Sequence, residues 1–469
     1  MNQFLEQVRG SLKVKAPLDR DFVPMSKFIK DFEGMASNEP SLPIAISIER
    51  AGGLITTYKT VCLADEAAYR ELNIFYIERI VKSLLWAYGG FNIVIGAPSY
   101  IGDEIKSQYT AGGLREFDFN FVDTVYERPL TIEVTSFENI PAAKLISNPI
   151  GRHLDGCRLG FDAGGSDLKV SAVMDGKVVF STEVVWLPKV QTDPDYHFKY
   201  IVDVMKLGAS HLPRIDAVGI SSAGIYIDNH PMIASLFLKV PKEDFDAKIK
   251  DIYIRAVKEL GDDIPMIVSN DGDVTALAGA IDLNDTNVLG IAMGTSEAAG
   301  YVDDKGNITG WLNELAFVPC DVNPCAMIDE WSGDYGCGVK YFSQDAVAKL
   351  APAAGINFTE DMTPAQKLKH VQNLVDRDDR AKAIFETIGV YLGYGIAYYA
   401  KLYDIKHVLI LGRVTSGTGG ILILEHANKV LAAEFPELDI KLHLPDESSR
   451  RVGQSIAAAS LPALGKERS

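Results

Sequence analysis

Four short stretches of the chain bring acids, hydroxyls and bare backbone together in patterns suited to chemistry on a phosphate. The first is LGFDAGGSDLKVSAV, residues 159–173, in which Asp162 is followed by Gly164, Gly165 and Ser166. Without Cβ atoms such a turn lets backbone N–H groups approach an anion closely. The carboxylate beside it offers hard oxygen ligands to a divalent cation. The second is Asn270–Asp271, at the end of the apolar run IPMIVS, where a carboxylate can serve as general base. The third is Gly294, Thr295 and Ser296, followed by Glu297. A carboxylate there repels a polyphosphate unless a metal lies between them. The fourth is the loop GRVTSGTGG, with Gly412, Gly417 and Gly419. Three of them have a plainer structural reading: a tight hairpin turn at 162–167, a helix N-cap at 270–273, and an ordinary strand–helix loop at 412–420.

These stretches need rigid elements to carry them. Residues 159–161 and 168–173 read as strands around the first turn. IDAVGISSAG (215–224) and IPMIVSN (264–270) read as buried strands, the latter running into a small-residue helix. NVLGIAMGTSEAAGYV repeats the strand–turn–strand design about 130 residues after the first, which predicts two similar lobes with both turns in the cleft between them. Residues 381–404 predict a long helix, 407–431 a strand, loop and helix, and 445–464 a closing small-residue helix. Residues 1–150 read as a separate mixed α/β section with its own core. Within it, residues 88–109 echo the strand–loop–helix of the second lobe.

The totals narrow the field. With 46 Lys and Arg against 63 Asp and Glu, the 469-residue chain carries a net charge of −17. That argues against nucleic acid and anionic membranes as partners. It does not argue against a nucleotide, whose phosphates backbone donors and a cation can hold. No apolar run reaches membrane-spanning length and the N-terminus lacks a secretory core, so a cytoplasmic protein is expected. The five cysteines are expected as buried thiols rather than a zinc site.

The order of the four motifs resembles the ROK family of sugar kinases, over residues 155–465. The resemblance implies an α/β, two-lobed actin-like or ribonuclease-H-like ATPase fold with an additional N-terminal α/β domain. The divisions are 1–150, 155–283 and 284–469. It implies ATP and Mg²⁺ as cofactors and a hexose or related sugar as substrate. Asp271 would be the general base and Asp162 the magnesium residue. Gly164, Gly165, Ser166, Gly294, Thr295 and Ser296 would cradle phosphates, and Gly412, Gly417 and Gly419 would receive the adenosine. Asn270 and Glu314 would hold the sugar. Where the family carries a histidine and a zinc-binding cysteine motif after that glutamate, this chain has Ala316–Phe317 and only Cys337 in place. The alternative function is a non-catalytic sugar or nucleotide sensor on the same fold. A homo-oligomer is left open.

Overall fold

The computed structural model describes residues 1–145, 150–445, 453–454 and 456–464. The amino-terminal section opens with helices α1 (Asn2–Ser11) and α2 (Met25–Ala36). Strands β1 (Ser41–Arg50) and β2 (Leu54–Leu63) follow, then the long helix α3 (Arg70–Tyr88). Strand β3 (Asn92–Gly96), helices α4 (Ser99–Gln108) and α5 (Glu116–Tyr126) and strand β4 (Thr131–Thr135) complete it. Its sheet has the order β2-β1-β3-β4.

The first lobe contains β5 (Cys157–Ala163), β6 (Asp167–Met174), β7 (Lys177–Val185), α6 (Pro194–Ala209) and β8 (Ala217–Ser222). A short hairpin of β9 (Ile225–Ile227) and β10 (His230–Ile233) comes next. The one-turn α7 (Lys242–Asp244), α8 (Ile252–Lys258) and β11 (Met266–Asn270) close the lobe. Its sheet runs β11-β8-β5-β6-β7, with β11, β8 and β5 parallel. Helix α9 (Asp271–Leu283) leads into the second lobe, made of β12 (Val288–Met293), β13 (Glu297–Val302), α10 (Gln344–Leu350), α11 (Pro364–Gln372), α12 (Asp379–Tyr399), β14 (His407–Leu411), α13 (Thr418–Glu434) and β15 (Lys441–His443). That sheet has the order β13-β12-β14-β15. Of the expected closing helix, residues 446–452 and 455 lie outside the described residues, while 453–454 and 456–459 are helical.

Among the described residues, a separate core for residues 1–150 is not found. One continuous apolar cluster runs from Leu5 and Phe28 through α3 to Leu289, Phe317, α12 and Phe435. The reason lies in α3, which is buried on nearly every side from Tyr76 to Tyr88. A helix apolar all round needs cover on two faces. Its own sheet covers one face, and the second lobe covers the other. Trp86 packs on Phe317 with ring centroids 4.3 Å apart. The N–H groups of Leu312, Asn313 and Glu314 donate to the carbonyls of Tyr88, Ala87 and Trp86. The first lobe keeps its own cluster around Phe161, Ile220 and Tyr253.

The sheet of residues 41–135 has the same strand order as that of the second lobe. Direction differs, however: β3 is antiparallel to β1, whereas β14 is parallel to β12. A copy of the second lobe would keep both.

Candidate functional site

The carboxyl ends of the parallel strands form the floor of the site, the usual place for ligands in open α/β sheets. Register sets Asp162 beside Ser221 on β8, and Ser222 beside Asn270 on β11. The Ser221 hydroxyl donates to Asp162 Oδ1 at 2.8 Å. Lys169 lies with Nζ 3.5 Å from Asp162 Oδ2 and 2.8 Å from Asp167 Oδ1. Burial raises the Asp162 pKa, and Lys169 opposes that shift. The Gly164–Ser166 turn stands at the tip of the β5–β6 hairpin. It closes through Gly164 N to Asp167 O at 2.9 Å.

Asp271 is the first residue of α9. Its Oδ1 is 3.1 Å from the next backbone N–H, that of Gly272, and it makes no bond with another side chain among the described residues. Burial, and then repulsion from Asp162, push its pKa up to about 6. Asn270 caps the helix, its Oδ1 accepting from Gly272 N at 2.7 Å. Its amide nitrogen donates to the carbonyl of Gly224 at 2.7 Å, tethering the loop before β9. That use leaves one amide hydrogen for a ligand.

Glu314 enters from the other lobe, its backbone held by the carbonyl of Trp86. Its carboxylate has no hydrogen-bond partner among the described residues. Burial, followed by the charges of Asp271 and Asp273, raises its pKa to about 7. Two carboxyl groups without side-chain hydrogen-bond partners among the described residues therefore lie within electrostatic reach of each other. Asp273 does different work. Its Oδ1 accepts from Tyr301 N at 3.2 Å and Asn313 Nδ2 at 2.8 Å, tying α9 to β13 and to the segment before Glu314.

The second-lobe turn closes through Gly294 N to Ser296 O at 3.0 Å, and Thr295 and Ser296 are exposed. Gly412, at φ +96°, lies against the end of β12, where a Cβ would stand 2.4 Å from Met293 O. Turn and glycine loop are therefore neighbours. Gly417 precedes α13 with open space at its Cα. Gly419 is pressed on Phe385 of α12, with 2.8 Å left for a Cβ.

The expectation that Glu297 faces a polyphosphate is overturned. The side chain is 3% exposed and turned inward, with Oε1 accepting from Tyr399 at 3.2 Å. Burial raises its pKa to about 8, which keeps it neutral at pH 7. The strand alternation of β13 decides this, since Glu297 falls on the core side with Ala299 and Tyr301. Cys325 is likewise exposed rather than buried, because it sits in the turn after Asn323.

Sequence reading missed two sets of residues. Ser222, Tyr226 and Tyr253 form a hydroxyl chain behind the floor, with links of 2.7 and 2.8 Å. The pair of serines ending an apolar run was its one visible signal. The other set is a buried cluster of Arg79, Lys82 and Arg115 with Glu78, Asp118 and Asp334. It pins the loop ending in Cys337 to α3 and α5. Nothing local marks it, because its bonded partners Arg79 and Asp334 are 255 residues apart.

Among the described residues no three His, Cys, Asp or Glu side chains converge as a metal cage. Mg²⁺ commonly takes only one or two carboxylates plus water and phosphate oxygens. Asp162, with one oxygen fixed by Ser221 and the other toward Lys169, fits that pattern. No described helix is long and apolar enough to cross a membrane.

No family model and no curated protein matches the sequence. Solved structures do. The ROK hexokinase of Thermus thermophilus aligns with a TM-score of 0.50 and 16% identity, over 64% of this chain and 97% of that one. The fold is that of a ROK hexokinase. A ROK family glucokinase from Streptomyces griseus, solved with glucose and AMPPNP, gives 0.45 at 20% identity, over 65% and 98%. A ROK family transcriptional regulator homologous to the E. coli Mlc protein gives 0.48 at 19%, over 69% and 82%. The ROK fold spans nearly the whole hexokinase and leaves about a third of this chain outside the match.

Proposed function

We propose that the chain is a ROK-family kinase that phosphorylates a hexose or related sugar, using ATP and Mg²⁺. The observation that carries the reading is the pairing of Asp271 and Glu314. They are two half-buried carboxyl groups with no side-chain hydrogen-bond partner among the described residues, near enough for the charge of Asp271 to raise the pKa of Glu314. Hydroxyl-rich substrates satisfy such groups, and a carboxylate with a pKa near the working pH is suited to take a proton.

In this reading Asp271 accepts the proton of the attacking hydroxyl. Glu314 and the spare amide hydrogen of Asn270 orient the sugar. The turns at Gly164–Ser166 and Gly294–Ser296 supply N–H groups for phosphates, and Gly412 and Gly417 border the nucleoside. Asp162, steadied by Ser221, would hold the cation. Bound Mg–ATP would supply the phosphoryl group and neutralise charge as it transfers. The divisions 1–150, 155–283 and 284–469 are retained as functional units.

The test is nucleotide-coupled ADP release over hexoses, amino sugars and acetylated sugars. Sugar-dependent turnover should fall by ~10²–10⁴-fold in Asp271→Asn, with ATP binding by calorimetry unchanged. Absence of turnover with every sugar, combined with sugar binding, would favour the sensor reading instead.

A further inference from the structure

Residues 1–145 and the first lobe enclose a cavity of about 460 Å³ beside the β9–β10 hairpin. One wall is formed by Glu49, residues 51–53, Phe91 and residues 125–128, and the other by the hairpin, Asp246, Lys250 and Asp251. Most charges here are already matched: Lys250 pairs with Glu127, and His230 lies 3.0 Å from Asp251. Two are not. Arg128 on one wall and Asp228 on the other make no hydrogen bond or ion pair with a described residue. Arg128 lies over the ring of Phe91, 4.9 Å from its centroid. Behind the same wall Arg50, 7% exposed, leaves Nε and Nη1 unpartnered.

A lone carboxylate and a guanidinium held over a ring suit an uncharged ligand rich in hydroxyls. The carboxylate accepts from hydroxyls and the guanidinium donates to them, while Phe91 and Tyr126 add apolar lining. We propose that this cavity is a second carbohydrate site, sized for a mono- or disaccharide and separate from the one that holds Asp271.

The hairpin gives such a site a path to the chemistry. Asn229, next to Asp228, accepts from Val268 N at 2.8 Å and donates to Met266 O at 3.4 Å, fixing the hairpin to β11. Gly224 at its root accepts from Asn270, and Tyr226 bonds Ser222 at 2.7 Å. The opposite wall belongs to the body that shares its core with the second lobe. The hairpin already joins that body, since Ile225 lies in the same apolar cluster with Ile227 and Ile233 packed against it, so a bound sugar would steady the joint from which Gly224 reaches Asn270. This effect on turnover rests on the kinase reading, whereas the binding itself does not.

The experiment is calorimetric titration of the full chain with D-glucose, N-acetyl-D-glucosamine and sucrose, without nucleotide. Glu314→Gln disables the candidate substrate site, and Asp228→Asn and Arg128→Ala change only exposed side chains of the cavity. The inference expects at least one sugar to bind Glu314→Gln, and to bind tenfold or more weakly once Asp228→Asn or Arg128→Ala is added. No sugar binding to Glu314→Gln, or binding that both cavity variants leave unchanged, overturns it. Should no sugar support ADP release while Glu314→Gln still binds one through the cavity, the kinase reading fails and this one stands.

Discussion

Asp271 sits at a helix start whose own backbone supplies its nearest donor, yet its pKa is raised to about 6 because burial and Asp162 outweigh that bond. As a base it works only when deprotonated. The kcat/KM profile is therefore expected to fall on the acid side with an apparent pKa near 6, measured at fixed saturating Mg–ATP. Glu297 gives a stability prediction of its own. Its folded-state pKa of about 8 lies above the ordinary 4.5, so between these values the folded chain holds a proton that the unfolded chain has released. Stability must then decline as pH rises across that window. In Glu297→Gln this decline should be reduced, as read from urea midpoints at pH 5, 6.5 and 8.

At the scale of elements, α9 crosses β13 at a contact only glycines allow. A Cβ on Gly300 would stand 2.2 Å from the carbonyl of Gly272, and one on Gly272 would stand 2.4 Å from that of Ala299. Gly300→Val should cost ~1–3 kcal/mol or more of stability and lower turnover, because the shifted helix start carries Asp271. A thermal melt and the ADP assay read the two effects separately. The strand–turn–strand pairs and the Asn270–Asp271 junction were legible in the sequence, since short-range pattern governs where strands end and helices begin. The inward turn of Glu297 was not, because strand phase against a distant core decides it. The tether from Asn270 to Gly224 was also hidden, depending as it does on a chain segment 46 residues away.

For the whole molecule, the decisive feature is a core shared between residues 5–132 and residues 289–435. Composition showed that residues 1–150 were apolar enough to fold, but not against what. The buried charge cluster belongs to this seam. Asp334→Ala leaves Arg79, Lys82 and Arg115 short of a partner and should cost ~3–5 kcal/mol, seen as a lowered urea midpoint. Removing residues 1–145 should leave a chain recovered only from the insoluble fraction, because the faces of α12 and of Phe317 lose their cover.

The same seam has a consequence for how the chain is made. Residues 5–132 leave the ribosome well before residues 289–435, with which they share a core, and must wait for them. At 5–20 residues per second, the roughly 300 residues between them take on the order of 15–60 s to appear. Through that interval α3 has one apolar face without its partner, while the first lobe, whose cluster is contiguous in the chain, is free to fold in between. The first lobe is built before the two segments that flank it can meet.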